Sequence, residues 1–142
     1  MPQAKAQVTI ARSAEEVFDF LTDGVNNLAW RPGVLDIELA SGEGVGEIWR
    51  QGVKGPGGSR IAADYEITEF DRPRRLAFRA IVGPARPEGA YDLQAIDGAT
   101  LLTFALWWEP KGLSRLLSSP VQKTMNAEVA QLSTLKAVLE RD

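Results

Sequence analysis

The stretch from Pro120 to Arg141, PVQKTMNAEVAQLSTLKAVLER, decides the fold. Its apolar residues Val121, Met125, Val129, Leu132, Leu135 and Leu139 recur at steps of three and four, the spacing of a helix with one apolar face. Ser119, Pro120 and Gln122 just ahead of that stripe predict an N-terminus, with a side chain able to cap and a proline suited to the first turn. At about 1.5 Å per residue the helix spans roughly 33 Å, enough to cross a small sheet. Glu128 falls inside the stripe, between Met125 and Leu132. A long helix laid across a curved sheet implies a ligand cavity between the two, with Glu128 in its wall.

The residues before the helix read as β-structure. Residues 5–12 alternate as a strand. Ser13-Ala14-Glu15-Glu16 then forms a capping box, opening a helix that carries Val17, Phe18, Phe20 and Leu21. A second short helical turn is expected over 25–29, ended by Trp30-Arg31-Pro32-Gly33. Six strands follow, over 34–40, 46–53, 61–70, 75–82, 88–96 and 100–109, the last two joined by Asp97-Gly98, a strong two-residue hairpin signal. Short turns between consecutive strands predict an antiparallel meander, so the chain reads as a single α+β domain over 1–142. Gly42-x-Gly44-x-Gly46 is flanked by strands on both sides, so it reads as a turn and not as a phosphate loop.

Composition removes several classes of chemistry. The chain has no cysteine and no histidine, which excludes disulfides, thiolate catalysis and a Ser-His-Asp triad, and argues against zinc. No cofactor and no metal site is implied. The net charge of −3 argues against nucleic acid, and the densest basic run, Arg72-Pro73-Arg74-Arg75, reads as a solvated turn. No run approaches the length of a membrane span, and the first residues carry no signal-peptide core, so a cytoplasmic protein is expected, as a monomer or homodimer.

Several motifs together resemble a known family. They are Val8-Thr9-Ile10 followed by Ser13 to Asp23, then Trp30-Arg31-Pro32-Gly33-Val34, Gly44-Val45-Gly46, Ile67-Thr68-Glu69-Phe70 before Pro73 to Phe78, Gly98 to Phe104, and the terminal Leu135 to Glu140. This pattern is similar to the SRPBCC (START/Bet v 1-like) superfamily, and closest to its polyketide cyclase/dehydrase branch. The resemblance implies a helix-grip fold: a seven-stranded antiparallel sheet wrapped around the C-terminal helix, two short helices between strands 1 and 2, and an apolar cavity.

Strand alternation sorts the faces. The apolar sets are Ile61, Ala63, Tyr65 and Ile67; Leu76, Phe78, Ala80 and Val82; Tyr91 and Leu93; and Leu102, Phe104, Leu106 and Trp108. Each of these residues is either plain core or cavity wall. Tyr65 and Tyr91, the only tyrosines, are either satisfied core phenols or hydroxyls directed at a ligand. Glu128 is either brought to the rim by local twist or an Arg partner, or is a cavity carboxylate suited to proton transfer. The expected ligand contacts are Trp30, Trp49, Tyr65, Ile67, Phe78, Tyr91, Leu93, Phe104, Leu106, Met125, Glu128 and Leu132.

Three functions are consistent with this pattern. The first is binding of a small hydrophobic molecule such as a polyketide, a lipid or an aromatic metabolite. The second, implied by the resemblance, is a polyketide cyclase/dehydratase, with Glu128 as base, Tyr65 or Tyr91 as donor to an oxyanion, and Arg50 assisting. The third is a lipid carrier or adaptor of the same fold, which would show an exposed apolar patch.

Overall fold

The computed structural model describes residues 1–141. Strand β1 is Gln3–Ile10; helix α1, Ala14–Thr22, follows it, then a 3-10 turn, Gly24–Asn26, and the short helix α2, Asn27–Trp30. The strands β2 (Val34–Ser41), β3 (Ile48–Lys54), β4 (Arg60–Ala62), β5 (Tyr65–Asp71), β6 (Arg75–Ala80), β7 (Glu88–Ile96) and β8 (Ala99–Trp107) come next. A 3-10 segment, Gly112–Leu117, leads into α3 (Ser118–Val129) and α4 (Leu132–Leu139). The sheet is antiparallel, in the order β1-β8-β7-β6-β5-β3-β2, with β4 paired to β3 beside that path. The first strand thus pairs with the last, so the chain ends up as an open, curved meander under its C-terminal helix.

Local chemistry explains the elements. Ser13 Oγ accepts the Glu16 amide proton at 3.2 Å and donates to the Glu16 carboxylate at 3.1 Å, which fixes the start of α1. Asp97 and Gly98 take φ of 48° and 83°, the two left-handed residues that a tight hairpin needs. The strand expected over 61–70 is bent into β4 and β5. Its Asp64 carboxylate, in place of a ladder carbonyl, accepts the Gln51 amide proton at 3.1 Å, so regular pairing is interrupted there. That division raises the seven expected strands to eight.

The C-terminal helix differs from the expectation in two details. It begins at Ser118 with no side-chain cap, because the 3-10 segment runs straight into it and the Ser118 amide already bonds Arg115 O. It is also tightened at Ala130-Gln131, where the Gln131 amide donates three residues back, to Glu128 O at 3.1 Å. The stripe itself is as expected: Met125, Val129, Leu132 and Leu135 are buried, with Val121 and Leu139 packed at its ends.

The core is densest at one end of the sheet, where α1, α2 and α4 cover it. Val17, Phe18, Trp30, Leu102 and Leu135 are fully buried, and Phe18 meets Phe70 edge to face at 5.3 Å. α4 lies on β1 and α2. At the other end α3 packs on β1 and β8, and a cavity opens between it and the strands further along the sheet.

Candidate ligand site

The cavity is about 450 Å³ and lies between the inner face of the sheet and α3. Ile67, Leu76, Phe78, Phe104, Leu106 and Met125 make its apolar walls. Tyr91 and Phe104 are stacked on each other at 4.5 Å, with Phe78 tilted against both at 5.9 and 6.4 Å, so one wall is a cluster of three aromatic rings. The β6–β7 loop (Val82 to Ala85), the β4 segment, the end of the 3-10 segment (Leu117) and the start of α3 (Pro120, Val121) form the mouth. Two glycines permit close approach. A Cβ on Gly89 would lie 2.4 Å from the Phe78 ring, and one on Gly24 would lie 2.7 Å from Trp49 and 2.8 Å from the Tyr65 hydroxyl.

Polar atoms collect at one wall. Glu128 on α3 reaches Arg31, the residue that ends α2; Arg31 Nε and Nη2 both lie 3.0 Å from Glu128 Oε2. Arg31 Nη1 donates to Gln51 Oε1 at 3.2 Å. Asn27 Nδ2 donates to Gln51 Oε1 and to Tyr65 Oη, each at 3.4 Å, and Gln51 Nε2 donates to Ala63 O at 3.2 Å. The ion pair is largely withdrawn from solvent, with side-chain exposures of 16% and 24%. Burial pushes the Tyr65 hydroxyl up to about 12, opposed in part by the Arg31 charge and the Asn27 hydrogen bond. Burial raises Tyr91 further still, again opposed by Arg31. Both phenols are therefore neutral donors at ordinary pH.

Of the residues expected in the site, Trp49, Tyr65, Ile67, Phe78, Tyr91, Phe104, Leu106, Met125 and Glu128 line the cavity. Four others lie elsewhere. Trp30 is in the core behind the aromatic wall, edge-on to Tyr91 and Phe104 at 6.5 Å, with an indole N–H that meets no acceptor among the described residues. Leu93 is buried two residues further along β7, opposite Leu102, at the end of the sheet that α1 closes. Leu132 follows the tightened turn and packs in the core with α4. Arg50 points to the outer face, because Trp49 and Gln51 on either side of it take the inward positions; it pairs with Glu38 at 2.7 Å in solvent.

The structure adds Asn27, Arg31 and Gln51 to the residues expected in the site. Gln51 has a legible signal, since it alternates with Trp49 and Val53 on β3. Arg31 has none beyond its place in the loop after α2. The basic run at 72–75 is neutralised: Arg72 pairs with Asp19 at 2.8 Å, Arg74 with Asp71 at 3.1 Å, and Arg75 with Glu69 and Asp92, both at 2.8 Å.

A curved antiparallel sheet gripping a C-terminal helix over an apolar cavity defines the START/Bet v 1-like, helix-grip class of the SRPBCC superfamily. Within it, the chain belongs to the family described as polyketide cyclase/dehydrase and lipid transport, whose family model matches residues 1–140. Solved structures share the fold at low identity. The protein TTHA0849 from Thermus thermophilus has a TM-score of 0.78 at 23% identity, covering 96% of this chain and 95% of that one. A START superfamily protein from Mycobacterium smegmatis has a TM-score of 0.76 at 15% identity, covering 97% of each chain. The Zhui aromatase/cyclase from a Streptomyces species has a TM-score of 0.73 at 18% identity, covering 98% of this chain and 93% of that one. No curated protein matches the sequence. Among the described residues no helix is long and apolar enough to cross a membrane.

Proposed function

We propose that this protein binds a small hydrophobic ligand between its sheet and α3, with the ligand's polar end at the Arg31–Glu128 wall. The observation that carries this reading is the distribution of chemistry in the cavity. About 450 Å³ is lined by aliphatic and aromatic side chains, and the polar atoms converge on one side. Such a site orients a molecule without needing many hydrogen bonds. The experiment is native mass spectrometry of protein purified from its own host, followed by extraction and identification of bound molecules. A co-purifying hydrophobic metabolite supports the reading. An empty protein that also fails to bind aromatic and lipid probes overturns it.

A cyclase/dehydratase activity is the second reading, favoured by a specific juxtaposition. A carboxylate, Glu128, shares the cavity with the neutral hydroxyls of Tyr65 and Tyr91. In a poly-β-ketone, Glu128 would remove a proton from the carbon between two carbonyls, and a tyrosine hydroxyl would donate to the enolate oxygen. The enolate carbon would then bond to another carbonyl carbon of the chain, whose oxygen would take the proton held by Glu128 and become a hydroxyl. Loss of that hydroxyl as water, with a neighbouring hydrogen, followed by enolisation of the remaining ring ketones, would aromatise the ring. Arg50 takes no part in this scheme, since it faces solvent. Turnover of a synthetic poly-β-ketone above the uncatalysed rate, lost in Glu128→Gln, would support this activity; no acceleration would leave binding alone.

A further inference from the structure

The polar wall has hydrogen-bonding capacity left over, and its sign is informative. Both Arg31 contacts to Glu128 fall on Oε2, and Oε1 has no partner among the described residues. Tyr65 Oη accepts from Asn27, but its own proton has no acceptor among them, and neither has the Tyr91 hydroxyl a partner there. The open groups are therefore one carboxylate acceptor and two phenol donors. Arg31, the only cation among the described residues of the cavity wall, is already committed to Glu128 and Gln51.

We infer that the site selects neutral, hydroxyl-bearing ligands on an apolar body, and rejects carboxylate-headed ones such as free fatty acids. This rests on the cavity being the ligand site. A phenol, enol or alcohol can donate to Glu128 Oε1 and accept from Tyr91, so it satisfies groups that are otherwise unpaired. A carboxylate could accept from the phenols, but it would stand against Glu128 with no free cation to offset the second negative charge. Between mainly apolar walls such like-charge contact is unfavourable. The apolar body follows from the Tyr91, Phe104 and Phe78 rings clustered in the wall.

The test uses three probes that differ only at the head: fluorene, 2-hydroxyfluorene and fluorene-2-carboxylate. Their affinities are measured at pH 7 by fluorescence titration, in the wild type and in Glu128→Gln. In the wild type the hydroxyl compound is expected to bind about tenfold more tightly than fluorene, and the carboxylate more weakly than both. Glu128→Gln removes the repelling charge and releases Arg31, so the carboxylate should become the tightest of the three. A wild-type protein that binds the carboxylate as well as the hydroxyl compound would overturn the inference, as would an unchanged order in the variant. Failure of all three probes to bind would remove the cavity reading itself, and this inference with it.

Discussion

Arg31→Met is the most searching single perturbation of this structure. Methionine keeps the length and much of the apolar bulk of arginine but removes the charge and all its donors. The variant loses two contacts to Glu128 Oε2 at 3.0 Å and one to Gln51 at 3.2 Å, and leaves the carboxylate facing an apolar cavity. Breaking a fully buried ion pair costs about 3–5 kcal/mol, and an exposed pair contributes about 0–1 kcal/mol. At 16% and 24% exposure this pair falls between those limits, so about 2 kcal/mol is expected. For a chain of 142 residues that is roughly 6–8 °C in melting temperature. The assay is urea unfolding of the wild type, Arg31→Met, Glu128→Gln and the double variant at pH 7. The double variant should recover part of the loss, because no charge is then stranded, and the cycle should return a coupling of about 1–2 kcal/mol. A single-variant loss below about 0.5 kcal/mol, with no coupling, would mean that solvent screens the pair and that the polar wall is not built as described.

The same geometry fixes four further outcomes. Val121→Trp, at the mouth, should block probe binding with little loss of stability, whereas Leu132→Ala should cost about 2–5 kcal/mol and leave probe affinity largely intact; parallel melts and titrations separate the two. Gly89→Ala should displace the Phe78 ring, since the new Cβ would lie 2.4 Å from it, and cost about 1–3 kcal/mol with weaker probe binding; an unperturbed melt would count against the close packing. The two tyrosines should stay un-ionised in the folded protein well above pH 10, read from phenolate absorbance, while the urea-unfolded chain titrates near 10. Because the folded values are raised, the unfolded state loses protons first; stability is therefore unaffected by these groups below pH 10 and falls as pH rises from 10 towards 12, which urea melts across that range would show.

Most of the fold is legible in the sequence because it is written in short-range patterns. The period of Val121 to Leu139, the Ser13–Glu16 cap and the Asp97-Gly98 turn each act within a few residues, and strand alternation sorts the inward sets. The family resemblance supplies the way these parts assemble. What escapes is long-range or depends on a single residue's geometry. The Arg31–Glu128 pair joins positions 97 residues apart. The bend at Asp64 turns on one carboxylate replacing a backbone acceptor. The inward stripe of the C-terminal helix is read correctly, but one periodic pattern cannot say which turns face a cavity and which face core; Met125 and Leu132 share a stripe and have different neighbours. Arg50 enters the expected site through a face shared with Ile48, whereas the inward row is Trp49, Gln51 and Val53.

Shape and charge come from different parts of this chain. The strands supply the aromatic rings and most of the aliphatic contour of the cavity, together with the tyrosine hydroxyls and the Gln51 amide. Both formal charges lie off the sheet, Arg31 just past the end of α2 and Glu128 on α3. A pair of substitutions at 31 and 128 can therefore re-label the pocket as cationic, anionic or neutral while the sheet that sets its outline stays untouched. That separation makes this scaffold a practical starting point for engineered receptors, in which size selectivity and head-group selectivity are tuned one at a time.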